Sequence, residues 1–178
     1  MPKKFQNKYR IASTRLQQWD YGWRASYFVT MCTKNRDWYF GEVINGKMKL
    51  SEIGIIANAL WLGIKNHAKN VELGEFVIMP DHVHGILILN NDFKVAVNTS
   101  PALSLSQKTI GQQRFQNQGK NTLSSIVGSY KSAVTRLCNK SDLKFAWQPS
   151  FHDRIIRDEV SFQRISAYII RNPINWKK

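Results

Sequence analysis

Phe76-Val-Ile-Met-Pro-Asp-His-Val-His-Gly-Ile-Leu-Ile-Leu89 holds two β-rich runs separated only by Pro80-Asp81. So short a link between strands at about 73–79 and 82–89 predicts an antiparallel pair. His82 and His84, two residues apart on the second strand, then share a face, about 7 Å from each other along the chain. The strand runs on into Ile86-Leu87-Ile88-Leu89, core-type sequence in which histidine is unusual. Two neutral imidazoles on one face can grip a metal ion, although such pairs also serve as structural or surface residues. Two ligands are too few for a structural zinc site, which takes about four. A third must come from elsewhere in the chain, with positions left open for substrate.

Outward from this pair the periodicities alternate. Ala25 to Thr33 is a β-rich run, and Asn45-Gly46 inside Phe40–Leu50 suits a two-residue type I′ hairpin. Ser51 is a plausible N-cap for an amphipathic helix at about 51–67, with Ile53, Ile56, Ala57, Leu60 and Ile64 at helical spacing. A second helix at about 122–139 carries Ile126, Val127, Tyr130, Val134 and Leu137. Phe151–Arg157 reads as a strand, and Asp158 can cap a last helix at about 159–172, which Pro173 stops. The order β, hairpin, α, ββ, α, β, α predicts an α+β sandwich, with helices packed on one face of an antiparallel sheet. The uncovered face would receive a ligand. The 178 residues form one domain on this reading. Residues 91–120, rich in Gln and Asn with Asp92 as the one acid, form a mobile insertion in it.

Charge narrows the partners. The chain carries 26 Lys and Arg against 12 Asp and Glu, a net +14. That field favours polyanions through counterion release from phosphates. No apolar stretch approaches the roughly 20 residues that span a bilayer, and the start, Met-Pro-Lys-Lys-Phe-Gln-Asn-Lys, has no apolar signal region. Cys32 and Cys138 are far apart and outside any ligand spacing. A cytoplasmic protein with reduced thiols and no membrane partner is the expectation.

The last helix supplies what the histidines lack. Tyr168 and Asn172, spaced i, i+4, share one of its faces. A core or rim tyrosine and a C-capping asparagine are the ordinary alternatives. If that face meets the histidines, the Asn amide oxygen is a third ligand and the phenol stands beside the metal, placed to attack a phosphate. The metallo-hydrolase pattern His-x-His-x-Asp-His is not met, because positions 86 and 87 are Ile and Leu.

Pro80-Asp-His-Val-His-Gly85 with Tyr168-Ile-Ile-Arg-Asn172-Pro173 resembles the single-tyrosine HUH transposases, and among them the REP-associated tyrosine transposases. Tyr27–Asn35, Ser129–Arg136 and Trp147–Glu159 extend the likeness over residues 10–176, the 91–120 insertion excepted. The resemblance implies a ferredoxin-like fold related to RNA-recognition domains. It implies that His82, His84 and Asn172 bind one Mg²⁺ or Mn²⁺, and that Tyr168 attacks a scissile phosphate in single-stranded DNA beside a palindromic hairpin. A 5′-phosphotyrosine and a free 3′-OH would result, and a DNA 3′-OH would reverse the step. Such relatives act as monomers or as homodimers. Lys34, Arg36, Lys131, Arg136, Arg154 and Arg157 are the candidate DNA contacts, on charge and location, and His152 is a candidate for the same groove. Only five residues follow Pro173, little room for the basic tail that some relatives use in guide recognition. Two other readings stay open: a nucleic-acid-binding module that does not cut, and a zinc hydrolase independent of Tyr168.

Overall fold

Alternation along the central strands decides which side chains meet the helices and which meet the site. The computed structural model describes residues 4–5, 8–9, 19–91, 119 and 121–176. The expected mobile insertion lies, save for Asn91 and Gly119, outside the described residues. Strand β1 is Ala25–Cys32, and after one 3₁₀ turn at Lys34–Arg36 come β2, Gly41–Ile44, and β3, Lys47–Leu50. Helix α1 is Glu52–Leu62, followed by a short helical segment at Ile64–His67. Strands β4, Val71–Met79, and β5, His82–Leu89, are the pair read from the sequence. Helix α2, Leu123–Lys140, strand β6, His152–Ile156, and helix α3, Glu159–Arg171, complete the main body. Lys4–Phe5 also pairs with Lys8–Tyr9.

The main sheet has the order β4-β5-β1-β6, antiparallel throughout. With the β2–β3 hairpin and α3 set aside, β1-α1-β4-β5-α2-β6 in this strand order is the ferredoxin-like α+β arrangement. The histidine strand is therefore central, hydrogen-bonded along both edges. Asn45 (φ 50°) and Gly46 (φ 71°) form the expected positive-φ hairpin turn. Ser51, Thr122 and Asp158 cap the three helices, their side chains accepting from the N–H groups of Gly54, Ser125 and Ser161. No helix among the described residues is long and apolar enough to cross a membrane.

Helices α1 and α2 share one face of the sheet, over a core containing Tyr27, Val29, Met31, Val83, Leu87, Trp61 and Tyr130. Trp61 stacks on Phe76 at 5.6 Å and meets the Tyr130 ring edge-on at 5.3 Å, while Tyr130 Oη donates to the Ala57 carbonyl at 3.0 Å. The indole also lies directly over Gly85, where a Cβ would come within 2.2 Å of it. The strand can pass beneath Trp61 only because position 85 has no side chain. Helix α3 crosses the opposite face, burying Ile165 and Ile169 against Ile86 and Ile156. The face left by the first two helices is thus partly roofed by the third, and it is the face that carries the histidines.

Candidate active site

Residues 82, 84 and 86 of β5 point to the α3 side, and both histidine side chains are buried there with ring centroids 4.4 Å apart. Each has its Nδ1 engaged. His82 Nδ1 lies 2.5 Å from Asp81 Oδ1, and since a carboxylate only accepts, the imidazole donates. His84 Nδ1 lies 2.8 Å from Thr30 Oγ1, the residue directly opposite it in the β1–β5 register. Arg36 completes the first chain, its Nε 2.8 Å from Asp81 Oδ2 and its Nη1 donating to Cys32 Sγ at 2.9 Å. Asp81 belongs to the tight β4–β5 turn, where its carbonyl accepts from both the N–H and the hydroxyl of Thr33. The Asp81 carboxylate thus fixes the His82 ring through Nδ1. Burial, with the charges of His82 and Arg36 adding to it, pulls the His84 pKa down from 6.5 to about 3, so this imidazole is neutral at physiological pH.

Tyr168 reaches the pair from α3. Its hydroxyl lies within hydrogen-bond distance of His84 Nε2, at 3.3 Å. The ring is half exposed and packs edge-on to Phe28, which also rests 5.1 Å from the His84 ring. One turn on, Asn172 caps α3 with its backbone N–H bonded to the Ile169 carbonyl. Asn172 itself is buried. It lies on the chain between Tyr168, which touches His84, and Trp176, whose ring packs 5.9 Å from that of His82. Among the described residues no three His, Cys, Asp or Glu gather in one group. What the described residues bring together here is two imidazoles and the Tyr168 hydroxyl.

The basic residues separate. Arg154 and His152 share the α3-facing side of β6, because they sit opposite Phe28 and Thr30. Arg154 and Tyr168 line one cleft. Arg157 lines a second cleft, which shares Arg154 with the first. Lys34 and Arg36 follow β1, with Arg36 already held by Asp81. Lys131 and Arg136 belong to α2, the helix of the other face. Lys131 Nζ donates to the carbonyls of Gln148 and Ser150 at 2.8 and 2.7 Å, tying down the loop that leads into β6. The structure thus brings Arg154 to the tyrosine and leaves Lys131 and Arg136 beside Trp147. Thr30, Asp81, Arg164 and Trp176 join the site without having been singled out for it in the sequence. Asp81, adjacent to His82 within the Pro80–Gly85 motif, was the one with a local signal.

No family model matches the chain. An uncharacterized protein of Haemophilus influenzae is 35% identical over 167 residues, 93% of this chain and 89% of that protein. Among solved structures, that of a REP-associated tyrosine transposase bound to a REP hairpin covers 92% of this chain and 73% of its own, with 18% identity and a TM-score of 0.58. At that identity the likeness shows a shared fold.

Proposed function

We propose that this chain, which belongs to one family with the Haemophilus influenzae protein, is a metal-dependent, tyrosine-nucleophile transposase that cuts and rejoins single-stranded DNA near palindromic hairpins. The observation that carries this reading is the meeting of Tyr168 Oη with His84 Nε2 at 3.3 Å. It joins a half-exposed phenol to a buried histidine pair, each ring fixed through its Nδ1. The shared fold with a transposase solved on a REP hairpin supports it, as does the net charge of +14.

His82, His84 and Asn172 would hold Mg²⁺ or Mn²⁺, which when bound polarises the non-bridging oxygens of the phosphate. Tyr168 would attack that phosphorus. The Oη–P bond forms, the P–O3′ bond breaks, and the phenol proton is finally carried by the released 3′ oxygen. The 5′ side stays on the protein as a phosphotyrosine, and a 3′-OH rejoins it by the reverse step. Because the phosphoester is conserved in the intermediate, no nucleotide cofactor is needed. Within one chain, Tyr168 meets His84.

Incubation with single-stranded DNA carrying imperfect palindromes, in Mn²⁺ or EDTA, tests the proposal. The expected result is a covalent protein–DNA adduct that needs metal. Tyr168→Phe should abolish it, a loss on the order of 10⁶ in rate for a removed covalent nucleophile. Binding with no adduct across a varied oligonucleotide pool would leave only a binding module. Activity indifferent to Tyr168 would point to hydrolysis.

A further inference from the structure

A cleft of about 490 Å³ opens between β6 and the flank of α3, with Tyr168 among its lining residues. We propose that it is a subsite for one unpaired nucleotide adjoining the phosphate attacked by Tyr168, with the base against Phe28 and the backbone phosphates between Arg154 and Arg164. This rests on the tyrosine-nucleophile reading above.

The chain builds the cleft from two periodicities. On β6 the register sets Arg154 opposite Phe28 and His152 opposite Thr30, so both basic residues emerge on the α3 side. On α3, Arg164 precedes Tyr168 by one turn and shares its flank. The floor is apolar and aromatic, Phe28 and Ile165, and the walls carry two exposed guanidiniums. Neither Arg154 nor Arg164 forms an ion pair or a side-chain hydrogen bond among the described residues. Arg36 and Lys131, by contrast, are already engaged by protein oxygens. Asp153 also lines the cleft, but β6 alternation turns it to the other face, where its charge bears on Tyr27. Asp158, beyond the cleft, accepts from the Ser161 N–H and hydroxyl. Those bonds, with the nearby charges of Arg164 and Arg154, hold its carboxyl below the usual range.

An aromatic floor beneath two exposed guanidiniums fits a base joined to phosphates better than it fits a simple anion. The volume lies within the roughly 300–1,000 Å³ of small-ligand sites, enough to admit a nucleotide.

The test uses the full chain carrying Tyr168→Phe, so that binding is read without covalent capture. The probe is a short oligothymidine with one central 2-aminopurine, whose fluorescence falls on stacking. Removing both cations with Arg154→Ala/Arg164→Ala should weaken binding by about 10-fold or more. It should also flatten the log K against log salt slope by about 1.4, two phosphates at about 0.7 each for a single strand. Lys65→Ala/Lys69→Ala, on the far side of the molecule, should leave that slope unchanged. Phe28→Leu should reduce the fluorescence quench and keep the slope. A double arginine variant with unaltered affinity and slope overturns the subsite, even if the adduct forms. If no adduct forms but the slope responds as stated, the cutting reaction falls and the nucleotide subsite stands.

Discussion

On one side of β5, Val83, Leu87 and Leu89 are sealed beneath α1 and α2, and Trp61 lies flat on Gly85. On the other side the same strand presents His82, His84 and Ile86 to α3, where Tyr168 is half open to solvent. The backbone serves both faces, since β5 is bonded to β4 and to β1 along its length. The first face gains from complete burial of apolar surface. The second gives up part of that burial to hold polar groups in fixed orientations. Polar residues there tolerate burial because each histidine has a partner for Nδ1. Stability and chemistry are thereby divided between odd and even positions of a single strand.

Substitutions on the two faces should fail differently. Trp61→Ala should cost about 3–5 kcal/mol of unfolding free energy, as large aromatic truncations in cores do. Urea denaturation measures it, and the folded fraction should keep its affinity for metal and DNA. A stable Trp61→Ala protein with impaired chemistry would break the division. Asp81→Asn, on the other face, should weaken Mn²⁺ binding by about 10–100-fold through loss of the carboxylate behind His82. Titration followed by calorimetry checks it, with little expected change in the folded structure.

The faces should also differ in their response to acid. The native His84 pKa, about 3, is below the unfolded value of 6.5, so beneath pH 6.5 the unfolded chain takes up a proton that the folded chain refuses. This contribution is complete above pH 6.5 and is lost as pH falls toward 3, at no more than about 1.4 kcal/mol per pH unit. Comparing metal-free wild type with His84→Gln by denaturation at pH 7 and pH 5 isolates it, and equal slopes would refute it. The smallest effect is expected at the edge of the helix-covered face. Ser51→Ala removes the cap on Gly54 N–H and should cost about 1 kcal/mol, read as a lower midpoint with no effect on the site.

Much of this arrangement is legible in the chain because it is written in local periods. Alternation puts His82 and His84 together, helical spacing puts Tyr168 and Asn172 together, and Asn45-Gly46, Ser51, Asp158 and Pro173 mark element boundaries. The side of the sheet taken by α3 is not written locally. Its stripe of Phe162, Ile165 and Ile169 would satisfy either face, and the choice follows from the Ile86–Ile156 surface that only the assembled sheet creates. Thr30 was unreadable for a similar reason. A threonine in a β-run is ordinary, and its contact with His84 comes from the register across β1 and β5. Trp176 lies past the helix-ending proline, where no periodicity remains to say what it covers. Among the basic residues, charge alone did not separate Arg154, which faces the tyrosine, from Lys131, which holds a loop.

The Tyr168–His84 contact spans 84 residues of sequence. Loop closure over such a distance is deferred until the central strands have paired, since non-local contacts compensate their entropy only late in folding. During synthesis the histidine strand leaves the ribosome well before α3, and domains form from the amino-terminal side onward. A nascent or truncated chain therefore has the imidazoles without the phenol. Any reactivity that depends on their meeting is withheld until α3 has been made, a consequence of the order of the elements along the polypeptide.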